Sequence, residues 1–222
     1  MRRALRIGAT LWAVQPLLIV VELGVALAAA SAAVPLSTLL VDRSISDLGA
    51  DRQNWVVLGG PEPVQSPAWV TMDAAFVVFG LLMAAGAVML RSRLPRGLPA
   101  TVVTALWVVV GLSAAGAGLV PLHVDQQAHV ALSAPALLLQ PVATVLLATV
   151  LPGRWRWATM VVGVLSVVGA VGYLGRTSTA VGSGAFERLA LWPAYLWLPV
   201  VALVLVAGTR QPGPREADRA VR

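Results

Sequence analysis

Two histidines, ten acidic residues and no cysteine make up the imidazole, carboxylate and thiol stock of this chain. Their densest grouping with small hydroxyls is Ser44-Ile45-Ser46-Asp47-Leu48-Gly49. Two other short stretches offer similar groups: Pro121-Leu122-His123-Val124-Asp125 with His129, and Gly184-Ala185-Phe186-Glu187-Arg188. Together, His123, His129, Asp47 and Glu187, with Asp125 beside them, are nitrogen and oxygen donors suited to zinc or another divalent ion. A metal held by such a set lowers the pKa of its bound water and makes a hydrolytic nucleophile. The spacing of His123 and His129 is not that of one helix face and matches no specific zinc signature. The pair would have to converge from the end of one element and the start of the next. In the plainer reading both imidazoles hydrogen-bond loop backbone or lipid headgroups. Ser44 and Ser46 are nucleophile candidates or turn residues. Ser44-x-x-Asp47 is a capping box with Asp in place of Glu, and the cap is the preferred reading. With no cysteine, thiolate catalysis, thiolate metal sites and disulfides are excluded.

The elements that would position these groups are apolar. The 222 residues are 58% hydrophobic and only 12% charged, with a mean hydropathy of +0.82. A soluble domain carries about 25% charged residues, so lipid is the expected solvent. Six segments stand out, at Ile7–Ala33, Pro67–Leu90, Leu98–Leu119, Val130–Leu151, Ala158–Leu174 and Leu189–Gly208. Each is near the ~20 residues that cross a bilayer core, and spans this apolar must be helices because lipid offers the backbone no partners. The expected fold is an all-α polytopic bundle of six transmembrane helices. It occupies residues 1–209, and residues 210–222 form a disordered basic tail.

All sixteen basic residues are arginines. With the N-terminus cytoplasmic, twelve of them fall inside and only Arg43, Arg52, Arg176 and Arg188 outside. This bias predicts that both termini are cytoplasmic, in a multi-pass protein of the cell (plasma) membrane. It also accounts for the pI of about 11.4 without nucleic acid as a partner, since the arginines sit where topology and anionic lipid require them. An apolar run following Met1–Arg6 and ending at Ala30-Ser31-Ala32 suggests a cleaved signal peptide as a rival. The run is about twice the 7–15 residues of a secretory core, so an uncleaved first helix is preferred.

Most acids and both histidines then lie toward the outer face. Glu22, some 20 Å up its helix from the cytoplasmic end, is the costliest residue to place in hydrocarbon and so a functional candidate. Its structural alternative is a hydrogen bond to a neighbouring helix, for example to Gln140. Asp73 faces the same cavity or simply stabilises a helix N-terminus. Glu187 and Arg188 are expected to pair at the mouth of the sixth helix. The prolines of His129-(five)-Pro135-(five)-Pro141 match those of Glu187-(five)-Pro193-(five)-Pro199, which reads as a repeated helix pair or as chance similarity of apolar sequence. Two prolines per helix loosen the hydrogen-bond ladder, while the Gly/Ala/Ser-rich runs Gly111 to Gly118 and Gly163 to Gly172 allow close packing. Trp55, Trp69, Trp192 and Trp197 outside, with Trp155 and Trp157 inside, form an aromatic belt.

The SDLG run Ser46–Gly49, Ser66-Pro67 with Met72-Asp73, Pro121 with Asp125 and His129, and Gly184 with Glu187-Arg188 resemble the six-helix membrane family catalogued as domain of unknown function 998. The resemblance covers about Thr10 to Gly208. It implies the six-helix fold and no established activity. Asp73 departs from it, since the family pattern leads one to expect an amide there. Two functional readings follow. The first is a polar cleft at the outer face, built from Ser46, Asp47, Asp73, His123, Asp125, His129, Glu187 and Arg188, that binds a membrane lipid headgroup, a protein partner or a second copy of the chain. The second is a metal-dependent membrane-embedded lipid hydrolase or transferase using the same His and acidic groups. Proton-coupled transport through Glu22 ranks behind both.

Overall fold

The structure is a computed structural model and describes residues 2–31, 34–51, 66–175 and 182–207. Among the described residues every regular element is helical. In chain order they are α1 (Arg2–Ala13), α2 (Leu17–Ala29), α3 (Leu36–Val41), a short 3-10 turn (Ser46–Gly49), α4 (Trp69–Leu90), a second 3-10 turn (Arg91–Arg93), α5 (Leu98–Leu119), α6 (Gln126–Val150), α7 (Arg154–Gly175) and α8 (Ser183–Ala207). Six stretches are long and apolar enough to cross a bilayer: Arg3–Ala29, Trp69–Arg93, Leu98–Leu119, Gln126–Val150, Arg154–Gly175 and Ser183–Ala207. The chain is an all-α, multi-pass membrane protein. Trp55, Glu62, Arg52, Arg176 and the basic tail from Arg210 lie outside the described residues.

Helices adjacent in sequence pack side by side from α4 to α8, and α1 closes the ring against both α4 and α8. Small residues set the spacing. A Cβ on Gly80 of α4 would run into the carbonyl of Gly111 on α5. Likewise, one on Gly169 of α7 would collide with the backbone of Ala190 on α8. Backbones this close gain dispersion contacts that lipid cannot match.

The first span is not the single helix Ile7–Ala33. It breaks between α1 and α2 at Val14–Pro16, because Pro16 has no N–H to donate and cannot continue the ladder. Gln15 makes the break tolerable in lipid. Its side-chain amide donates to the carbonyl of Leu11 at 3.1 Å and to that of Phe79 on α4 at 3.3 Å. Opposite it, Trp12 donates its indole N–H to the carbonyl of Met83 at 3.0 Å.

At their N-terminal ends α6 and α8 extend past the apolar segments, starting at Gln126 rather than Val130 and at Ser183 rather than Leu189. Hydropathy undercounts them because their first turns are polar. His129, Glu187 and Arg188 are therefore helical residues pointing into the bundle. Register moves Trp197 too. Fourteen residues into α8, or about 21 Å along it, it donates to Thr159 Oγ1 near the start of α7 at 2.8 Å and packs against Trp155. It thus belongs to the arginine-rich end and not to an outer belt.

Ser113 of α5 enters the backbone ladder of α6. Its hydroxyl donates to the carbonyl of Leu132 and accepts from the N–H of Ala136 at 2.8 Å. The hydroxyl thus bridges the Ala136 N–H and the Leu132 carbonyl next to Pro135, and a side chain inserted into a helix ladder is a recognised cause of a local bend.

Residues 34–51 fold back over one end of the bundle. Leu39 of α3, Ile45 and Leu48 are buried against the core. Non-helical backbone is allowed at this depth because protein surrounds it.

Candidate functional site

The 3-10 turn is held in place by a reciprocal cap. The Asp47 carboxylate accepts from the Ser44 N–H at 2.9 Å, and the Ser44 hydroxyl accepts from the Asp47 N–H at 3.1 Å. This is the capping box expected from Ser44-x-x-Asp47. Asp47 is partly enclosed, and burial pushes its carboxyl above the usual carboxylate range. The Ser44 hydrogen bonds and the charges of Arg43 and Arg188 pull it back down.

α8 anchors the turn and the helix before it. Glu187 accepts from the Ile45 N–H at 2.6 Å. Arg188 donates to the carbonyls of Leu40 at 2.9 Å, Arg43 at 2.8 Å, Gly184 at 3.1 Å and Leu39 at 3.2 Å. Two of these, from Leu39 and Leu40, belong to the end of α3, where a short helix leaves carbonyls unsatisfied, and that of Arg43 follows just after it. The remaining Arg188 nitrogen, Nε, pairs with Glu22 Oε1 on α2 at 2.7 Å. Glu22 Oε2 accepts from the Trp192 indole at 2.9 Å. So Arg188 pairs with Glu22 and not with its neighbour Glu187. Gln140, the suggested partner of Glu22, instead donates to the Leu191 carbonyl at 2.9 Å and pins α6 to α8.

Ser46 and His129 meet beside this anchor. His129 Nε2 lies 2.9 Å from Ser46 Oγ. Its Nδ1 lies 3.1 Å from the carbonyl of Ala117 and 2.8 Å from that of Val120, at the end of α5. Carbonyls only accept, so Nδ1 carries the proton, and in the neutral ring Nε2 accepts from the Ser46 hydroxyl. The two carbonyls are among those that a helix C-terminus leaves without intrahelical partners. One imidazole thus caps α5, begins α6 and holds the turn.

The dyad opens onto a cavity of about 220 Å³. Its polar end carries Ser46, Asp47, His129, Gln126 and Glu187. Its walls are apolar, with Phe76, Ala114, Ala136, Leu137 and Leu191 among them. Leu138 and Leu174 also line it, and both are exposed on the perimeter of the bundle. The cavity therefore runs from a polar head to an apolar edge on the perimeter of the bundle.

Of the candidates read from sequence, Ser46, Asp47, His129 and Glu187 come together at this cavity, with Arg188 and Glu22 in the layer behind. Asp73 is buried beneath Gly49, and neither of its carboxylate oxygens has a hydrogen-bond partner among the described residues. His123 and Asp125 stand apart. His123 Nδ1 accepts from the Asp51 N–H at 3.3 Å, and its ring meets Trp69 edge-on at 4.8 Å. Asp125 is the N-cap of α6, accepting from the Ala128 N–H at 3.0 Å. Among the described residues no group of three or more His, Asp or Glu side chains is placed to hold a metal ion. Both tyrosines of the chain, Tyr173 and Tyr195, line the cavity. Their scarcity, two in 222 residues, is the signal in the sequence that points to them.

Six spans around a mostly apolar cavity with one polar end define a polytopic membrane protein with a pocket inside its bundle. The family model described as Protein of unknown function (DUF998) matches residues 18–204, and the chain belongs to that family. No curated protein and no solved structure gives a significant match to it.

Proposed function

We propose that the bundle binds a membrane lipid, taking one polar segment of it at Ser46, Asp47, His129 and Glu187. The observation that carries this reading is the polarity gradient of the cavity, from that cluster to the lipid-facing edge at Leu138 and Leu174. A site for a drug-sized molecule usually has a volume of ~300–1,000 Å³. A cavity of about 220 Å³ suits a headgroup linkage and the start of a chain, with the rest of the lipid left in the bilayer. A soluble ligand would not need the lateral edge. A divalent metal finds less support, because Glu187, Asp47 and His123 are each turned to backbone N–H groups. We further take the arginine-rich end as cytoplasmic, which puts the cavity in the outer half of the cell membrane.

The test is lipid retention. The protein, purified in mild detergent, is extracted and its lipids are identified by mass spectrometry. One lipid class enriched over the bulk membrane is expected, and Ala134→Phe, which fills the cavity wall, should release it with the melting temperature preserved. A bulk-membrane lipid profile, unchanged by Ala134→Phe, would refute the pocket as a lipid site.

A further inference from the structure

Resting on that reading, we infer that Ser46 is a nucleophile and His129 its general base, in an acyl transfer that acts on a lipid ester or amide. Three independent features assemble the pair. Ser46 Oγ and His129 Nε2 are 2.9 Å apart, within the reach that nucleophilic catalysis requires. The imidazole is held by a third group. The carbonyls of Ala117 and Val120 fix Nδ1 as the protonated nitrogen, which leaves Nε2 free to take the serine proton. A backbone carbonyl is one of the groups that set the tautomer of a working histidine. Finally, Ser46 is partly exposed whereas His129 is only 2% exposed, and both line the cavity where an acyl carbonyl would enter.

A structural hydrogen bond between turn and helix does not need this arrangement. Ile45 is already tied by Glu187, and Ser44 by Asp47. Ser44 and Asp47 close the turn on itself, Glu187 holds it to α8 before Ser46, and buried Leu48 holds it to the core after Ser46. The cap uses the Ser44 hydroxyl and leaves that of Ser46 to the imidazole.

The step balances without a cofactor. Ser46 Oγ adds to the acyl carbonyl carbon as its proton passes to His129 Nε2. Collapse of the tetrahedral adduct breaks the bond from the acyl carbon to the leaving oxygen or nitrogen, and His129 returns the proton to that group. The acyl chain is then an ester on Ser46. Water, or the hydroxyl of a second lipid, attacks that ester with His129 again taking and returning one proton, and Ser46 is freed. The Gln126 amide and the Tyr195 hydroxyl line the same cavity and are the donors nearest in kind to what a developing oxyanion needs.

A long-chain alkyl fluorophosphonate is the direct probe, applied to the full chain in lipid nanodiscs. The expected result is a covalent adduct on Ser46, located by peptide mass spectrometry, that disappears in Ser46→Ala. In His129→Gln the labelling rate should fall ~10²–10⁴-fold, the range associated with loss of a general base. Each variant is checked by its melting temperature. If His129→Gln does not fold, competition decides, since the lipid class found in the retention experiment must slow the labelling of wild-type Ser46. A folded, lipid-retaining protein with no adduct on Ser46 would overturn the catalytic inference and leave the binding pocket standing. An adduct without a retained lipid class would do the reverse.

Discussion

Arg188 shows why single residues here carry more than sequence suggests. Its guanidinium satisfies backbone carbonyls from two stretches of chain, residues 39–43 and Gly184, and pairs with one buried carboxylate. Removing one partner of such a pair leaves a charge uncompensated, at a cost of ~3–5 kcal/mol. Glu22→Leu should therefore destabilise the protein by about that much, whereas Glu22→Gln, which can still accept from Trp192, should cost less. Denaturation in detergent would rank the two variants. Asp73 presents the opposite case. It is a buried carboxylate with no hydrogen-bond partner among the described residues, so Asp73→Asn, which restores the amide expected from the family resemblance, should raise the melting temperature. Asp47 gives a pH signature. Its folded carboxyl holds the proton more tightly than the ordinary value, so the folded state binds more protons than the unfolded one between those two pKa values. That contribution to stability is complete below the unfolded pKa of about 3.9 and is lost as pH rises through the folded one. Asp47→Asn keeps the cap acceptor and removes the titration. Relative to wild type it should gain stability across this window and hold a constant offset above it, as paired denaturation curves at stepped pH would record. The cap was legible because its partners lie three residues apart. The Arg188–Glu22 pair was not, because no local pattern links residues 166 positions apart, and adjacency in sequence favoured Glu187 instead.

At the scale of elements, the six spans were legible because a bilayer enforces their length and polarity. Their ends were not, since a helix that buries its polar first turn against protein continues beyond its apolar run, as α6 and α8 do. The proline pattern was readable as a loosening of α6, yet what enters the loosened ladder comes from another helix. Ser113 supplies both an acceptor for Ala136 and a donor for Leu132. Ser113→Ala should remove both hydrogen bonds that tie α5 to α6 here, at ~0.5–1.5 kcal/mol each. It should also disturb the cavity wall at Ala136, so that weaker lipid retention accompanies the lower melting temperature. The pairing of α4 with α5 is stiffer. Gly80→Val would force a branched side chain into the Gly111 carbonyl, and no rotamer avoids a clash made by Cβ itself.

For the whole molecule, the two ends differ in charge. Arg3, Arg6, Arg91, Arg93, Arg96, Arg154 and Arg156 flank one end of the spans, while Asp42, Asp47, Asp51, Asp73, Asp125 and Glu187 gather at the other. At the first end, the loops before α5 and α7 meet the end of α8 around a second cavity lined by Arg93, Arg96, Leu151 and Val204. The fold thus separates a basic face, fit to sit against anionic lipid headgroups, from the face that carries the Ser46–His129 pocket. The direction in which this dipolar bundle is inserted decides which leaflet the pocket lies in. Because the chain has no cysteine, single replacements report sidedness without background. Val124, 68% exposed between α5 and α6, and Arg96, exposed between α4 and α5, mark opposite faces. In intact cells a membrane-impermeant maleimide should label Val124→Cys at once and Arg96→Cys only after permeabilisation. The reverse order would put the pocket in the cytoplasmic leaflet, so that its lipid would have to come from the cytosolic side and the arginines would owe their clustering to something other than the positive-inside bias.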